Sequence, residues 1–227
     1  MHMTQTFWQK QHSYLSDKFR DPFSALSHLG AAGLGVIGTL WMMMLAWGDS
    51  AKVTALVVYG LSLVMMFSAS GIYHSSKASP ETVRRLRKMD HSAIFLLIAG
   101  TYTPICLYFF SGFFQWGLPL IVWSFALVGV SVKIFVLKAP RWITAGIYLV
   151  MGWLCVMAFG QLLVMPAGAL FWLILGGLFY SGGALVYITK KPDWWPGVFG
   201  FHELWHIFVI LGAFSHFVLI AAFIAAV

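Results

Sequence analysis

The sequence predicts an all-α, polytopic membrane protein of seven transmembrane helices, with the N-terminus in the cytoplasm and the C-terminus outside. Three observations predict it. First, 60% of the 227 residues are hydrophobic and only 9% are charged, about a third of the usual share for a soluble domain. The surface of a soluble globule with so few charges would be one large apolar patch. Second, the apolar residues gather into seven stretches, each near the ~20 residues that cross a bilayer as a helix. They are apolar all round rather than alternating, which favours helices over barrel strands. Third, thirteen of the fourteen Lys and Arg residues fall on one side of these stretches. Together these exclude a cytosolic enzyme, a disordered chain and a disulfide-stapled secreted module. The net charge of +7 does not indicate nucleic acid, because the cations sit between apolar runs and line no aromatic-rich polar surface.

The predicted spans are residues 23–47, 53–74, 91–110, 116–137, 142–163, 168–189 and 202–226. Residues 1–22 form a cytoplasmic tail and 23–227 one seven-helix domain. The tail is too polar for a signal-peptide core, and the first apolar run is too long for one. Turn signals mark the joints: Gly48, Asp49 and Ser50 after span 1; Ser111 and Gly112 after span 3; Ala139 and Pro140 after span 4. Met165 to Gly168 follows span 5, and Lys191 to Gly197 follows span 6. Between spans 2 and 3, Ser79, Pro80 and Glu81 read as a helix start, with Ser79 as N-cap and Pro80 at N1. Helix 3 then begins near Pro80 and stands proud of the membrane; the alternative is a separate basic helix lying on anionic headgroups. No internal repeat is evident.

Orientation follows from the basic residues. Lys10, Lys18 and Arg20 lie in the tail, and Lys77, Arg84, Arg85, Arg87 and Lys88 between spans 2 and 3. Lys133, Lys138 and Arg141 flank the joint of spans 4 and 5, and Lys190 and Lys191 follow span 6. Only Lys52 falls on the other side, and the positive-inside rule places the thirteen in the cytoplasm. Lys133 lies within span 4 and must snorkel to that edge. Cys106 and Cys155 fall inside spans and read as small buried residues.

Ionisable groups at membrane depth are functional candidates by default. His74 ends span 2, with Ser70 one turn deeper on the same face. Asp90 and His91 open span 3, His202 and His206 open span 7 as an i, i+4 pair, and His28 lies near the start of span 1. All converge on one leaflet, although topology was fixed by Lys, Arg and apolar length alone. Three imidazoles and a carboxylate suit Zn²⁺, whose catalytic sites commonly have three protein ligands and a position open to water. Asp90 reads as a fourth ligand or as an outer carboxylate that takes a proton from water acidified by the ion. Ser70 is placed to donate a hydrogen bond to that water or to an oxyanion. His28 and His216 read as packing hydrogen-bonders, and His2 and His12 have no specific role. Residues 202–206 also match H-E-x-x-H, in which Glu203 would be the general base of a metalloprotease. Against this, no further ligand follows the last span, and an acid near a helix N-terminus is favourable in itself.

These motifs resemble the haemolysin III family, which groups with the progestin/adiponectin-receptor-like proteins and the alkaline ceramidases. The resemblance is carried by Ser70 to His74, by Asp90 to Phe95 with Ile98 to Pro104, and by His202 to His206. Ser27 and His28 in span 1 also fit. It covers residues 21–217, and the short loops resemble the bacterial branch, which implies a multi-pass protein of the bacterial inner membrane. The resemblance implies zinc held by His74, His202 and His206 near the cytoplasmic surface, with Asp90 holding the zinc-bound water and Ser70 beside it. It implies a hydrolase of lipid amides or esters, with a membrane lipid as substrate or ligand. Three other functions are consistent with the sequence: a membrane-state sensor clamped by structural zinc, a pore-forming haemolysin, and haem ligation by His pairs. The pore ranks low because spans 4, 5 and 6 carry almost no polar stripe. The sequence carries no indication of oligomeric state.

Overall fold

The computed structural model describes residues 14–135, 140–195 and 199–227. His2, Lys10, His12, Lys138, Ala139 and the turn at 196–197 lie outside them. Seven helices among the described residues are long and apolar enough to cross a membrane. They are α1 (Pro22–Leu45), α2 (Ser50–Ser75), α3 (Pro80–Phe109), α4 (Phe113–Phe135), α5 (Arg141–Leu162), α6 (Ala167–Thr189) and α7 (Phe201–Ala225). The chain is therefore an all-α, seven-span, multi-pass membrane protein. Its exterior agrees: Leu34 is 71% and Leu120 68% exposed, positions that lipid rather than water must cover.

Local chemistry explains where the helices begin. The Asp49 side chain accepts the Lys52 N–H at 2.9 Å and caps α2. At α3, Ser79 is the N-cap, Pro80 follows it, and Arg85 pairs with Glu81 at 2.6 Å one turn on. The helix then runs unbroken from Pro80 to Phe109. Span 3 is thus longer than the 91–110 window, and no separate surface helix forms there. The cap and the i, i+4 pair extend the helix through a segment whose charges keep it out of hydropathy windows.

The bundle closes as a ring. Consecutive helices α1, α2 and α3 pack side by side, α5, α6 and α7 follow, and α7 returns to α1. Helix α4 sits outside, packed chiefly on α3. The inner crossings depend on close backbone approach. A Cβ at Gly60 of α2 would overlap Thr39 of α1, and one at Gly100 of α3 would overlap Ser62 of α2. Small residues at such crossings let helices associate where lipid offers no hydrophobic driving force.

Helix α5 is not uniform: Leu154–Ala158 forms a 3-10 segment between two α-helical parts. The Tyr102 hydroxyl from α3 enters the break. It is 3.0 Å from the Met151 carbonyl and 2.8 Å from that of Gly152, and it accepts the Cys155 N–H at 2.8 Å. A side chain inserted into the helical ladder re-satisfies backbone groups that lipid cannot. Cys106 and Cys155 are both free and buried.

Candidate metal centre

Three helix ends meet at the basic side of the bundle: the starts of α1 and α7 and the last turn of α2. His74 stands on the last turn of α2, and His202 and His206 on the first turns of α7. Their spacing of four puts the two α7 rings on one face, with ring centroids 4.8 Å apart. The His74 ring lies 5.0 Å from that of His202 and 4.7 Å from that of His206. One ligand atom from each of the three imidazoles lies within 4.8 Å of the others, so the three could hold a metal ion. His74 and His206 are buried.

Several details fit these rings to a tetrahedral ion. The Nε2 atoms of His202 and His206 face each other at 3.2 Å. That is close to the edge, about 3.3 Å, of a tetrahedron with zinc–nitrogen bonds of ~2.0 Å. The Nε2 of His74 is buried without a hydrogen-bond partner, a costly state unless something binds it. The other nitrogen of that ring, Nδ1, donates to Asp21 Oδ2 at 2.8 Å. A ligand histidine characteristically gives its second N–H to a carboxylate, which fixes the tautomer and the ring orientation.

Asp21 is the residue that sequence reasoning missed. It immediately precedes α1 and is held from several directions. Its backbone N–H donates to the His74 carbonyl at 3.0 Å. Arg20 Nε donates to the same carboxylate oxygen at 3.0 Å, and the Arg20 guanidinium stacks 4.0 Å from the centre of the Tyr73 ring. Burial pushes the Asp21 carboxyl up, but the hydrogen bonds from His74 and Arg20 outweigh it and hold it below its ordinary value. The group is therefore ionised at neutral pH. The usable signal was its position: Asp21 sits at the same end of the bundle as His74, 53 residues away in sequence.

His28 of α1 is buried, with its Nε2 2.7 Å from His206 Nδ1. It is a packing hydrogen-bonder, and its partner is a candidate ligand. Asp90 and Ser70 are both buried, on the side of His74. Ser70 and His74 both lie within electrostatic reach of the Asp90 carboxylate. The closest base is His91, with Nδ1 3.9 Å from Asp90 Oδ2; Arg87 and Lys88 make no pair with it. Glu203 turns away: its carboxylate accepts the Gly200 N–H at 2.9 Å and caps α7. That occupies the group which the H-E-x-x-H reading needs as a base. His216 lies far down α7, with Nε2 3.2 Å from the Leu173 carbonyl.

An apolar cavity of about 120 Å³ lies between α3, α5, α6 and α7, with Met66 of α2 completing its wall. Ile94, Leu149 and Val209 wall it, His91 and Tyr187 stand at its basic end, and His216 at its deep end. Trp205 belongs both to this wall and to the histidine cluster, with ring contacts of 5.4 Å to His202 and 5.0 Å to His206.

Known proteins resemble this chain in sequence. Residues 17–217 match the family model described as haemolysin-III related. The chain is 35% identical over 197 residues to the Hemolysin-3 homolog of Bacillus subtilis, covering 86% of this chain and 89% of that one. It is 37% identical over 169 residues to Hemolysin-3 of Bacillus cereus, covering 73% of each. An adiponectin receptor protein of Drosophila melanogaster is 30% identical over 193 residues, covering 71% of this chain and 41% of the fly protein. With seven spans, a histidine trio at one end of the bundle and a family match over most of its length, this chain belongs to the haemolysin III family.

Proposed function

We propose that the protein is a zinc-dependent hydrolase of lipid amide or ester bonds, acting in the leaflet at its basic, cytoplasmic face. The observation that carries this reading is the unpartnered, buried Nε2 of His74, grouped with His202 and His206, with Asp90 within electrostatic reach of His74. His74, His202 and His206 would hold the ion. When bound, zinc supplies a Lewis acid for a carbonyl oxygen and acidifies water near neutral pH.

The remaining work falls to this chain's own side chains. Asp21 and His28 fix the rings of His74 and His206 from behind. Asp90 takes a proton from the attacking water and delivers it to the leaving amine or alkoxide. Ser70, near the Asp90 carboxylate, steadies the oxyanion as charge develops. The apolar cavity takes hydrocarbon, and Trp205 is the wall that sets a bound chain against the cluster.

The test is turnover by purified protein in lipid nanodiscs against acyl-amide and acyl-ester lipids. Wild type releases fatty acid, and Asp90→Asn keeps its metal but releases none. Stoichiometric zinc with no turnover of either lipid class would overturn the catalytic half. One observation favours a second reading, a structural zinc clamp in a membrane-state sensor: the cluster with Asp21 and His28 joins α1, α2 and α7. On that reading Asp90→Asn is silent, while His74→Ala loosens the bundle. The Bacillus cereus relative is named as a hemolysin. A water-filled pore would need a polar stripe on several helices, whereas α4, α5 and α6 expose Leu120, Val150 and Phe171.

A further inference from the structure

The basic end of the cavity carries a charge arrangement that the hydrolytic chemistry does not use. His91, Thr144 and Tyr187 form its rim. Lys133 of α4 donates from Nζ to Thr144 Oγ1 of α5 at 2.8 Å, across a seam where those two helices otherwise hardly touch. Arg141, the first residue of α5, places its guanidinium 5.2 Å from the centre of the Tyr187 ring. Arg87 of α3, one turn before His91, lies within electrostatic reach of His91, Lys133 and Tyr187.

No carboxylate pairs with Arg87, Lys133 or Arg141 among the described residues, which include all seven acids of the chain. Basic loops at a cytoplasmic face need no ligand to explain them. These three differ in two respects. They come from three helices to the rim of one cavity, and Lys133 is half-buried with only one hydrogen bond made by its three donors. Cations gathered without a counter-charge repel one another, and below them the walls are hydrocarbon. An anionic head on an apolar tail complements both features.

We propose that this rim is a headgroup subsite for a phosphate-bearing anionic membrane lipid, which enters at the α4–α5 seam and lays one acyl chain into the cavity. The inference rests on the reading of the cavity as the place where lipid lies, and it depends on neither metal nor turnover. Arginine forks and lysine ammonium groups both bind phosphate oxygens through charge-assisted hydrogen bonds.

Native mass spectrometry of the delipidated, full-length protein, titrated with dioleoyl phosphatidylglycerol or dioleoyl phosphatidylcholine, tests it. Wild type binds the anionic lipid at least about tenfold more tightly. Lys133→Gln with Arg141→Gln loses that preference, whereas Arg84→Gln with Arg85→Gln, an equal change of charge away from the rim, keeps it. Ala184→Trp, which fills the cavity, weakens binding of both lipids. Should the Lys133 variant fail to fold, exposed Arg141→Gln alone carries the charge arm. Equal affinity for the two lipids overturns the proposal, as does equal loss in both double variants. Displacement of the lipid by millimolar inorganic phosphate also overturns it, since the site would then be one for free anion. Chelator-treated protein gives the same lipid preference, so failure of the metal reading is scored separately.

Discussion

Asp21 and His74 are joined twice, once by backbone and once by side chain. The Asp21 N–H donates to the His74 carbonyl at 3.0 Å, and His74 Nδ1 donates to Asp21 Oδ2 at 2.8 Å. The pair ties the start of α1 to the end of α2 and leaves one nitrogen of His74 facing the other two histidines. The carboxylate fixes the ring's orientation and would do so without touching a bound ion.

Asp21→Ala is therefore expected to keep the fold and weaken metal binding about 10- to 100-fold, as loss of an outer-shell carboxylate does elsewhere. Chelator competition on purified protein reads this out. Unchanged affinity would show that Asp21 serves only the helix ends.

Asp90→Asn separates chemistry from architecture. The variant keeps the side chain's shape but has no base, so turnover is expected to fall about 10²- to 10⁴-fold at unchanged metal content. Fatty-acid release assays with parallel metal analysis measure both quantities. Full activity in the variant would remove Asp90 from the mechanism.

Glu203→Ala loses the cap on Gly200 and is expected to lower stability by about 0.5–2 kcal/mol. Turnover should be retained once the protein is folded. Thermal melting in detergent and the same activity assay decide it. A dead, fully stable variant would restore the metalloprotease reading of the H-E-x-x-H motif.

Tyr102→Phe strips the hydroxyl from the break in α5 and leaves the Cys155 N–H and two carbonyls unserved. A cost of about 1–3 kcal/mol is expected, seen as a lower melting temperature. An unchanged midpoint would mean that the 3-10 segment satisfies itself.

The legible part of the fold was whatever depended on composition along the chain. Seven apolar stretches, their joints and the basic asymmetry follow from the cost of putting polar groups in lipid. The histidine trio was legible for a related reason: His74, His202 and His206 are ionisable groups at a common depth, and only helical spacing is needed to bring the last two together. Asp21 was not legible, because an acid before Pro22 looks like an ordinary helix-start residue until α2 is packed against α1. Glu203 was ambiguous for the opposite reason, since one motif served both a catalytic base and a cap, and only the Gly200 contact separates them. The break in α5 follows from Tyr102, a residue of another helix. The cavity is built by five helices, and no local pattern marks a space that none of them encloses alone.

The most direct measurement is the zinc content of purified protein, for wild type beside His74→Ala, His206→Ala and Asp90→Asn. A three-histidine zinc site predicts one zinc per chain in wild type and in Asp90→Asn, and none in the two histidine variants. Metal-free wild type, or zinc retained when His74 and His206 are removed, would contradict it.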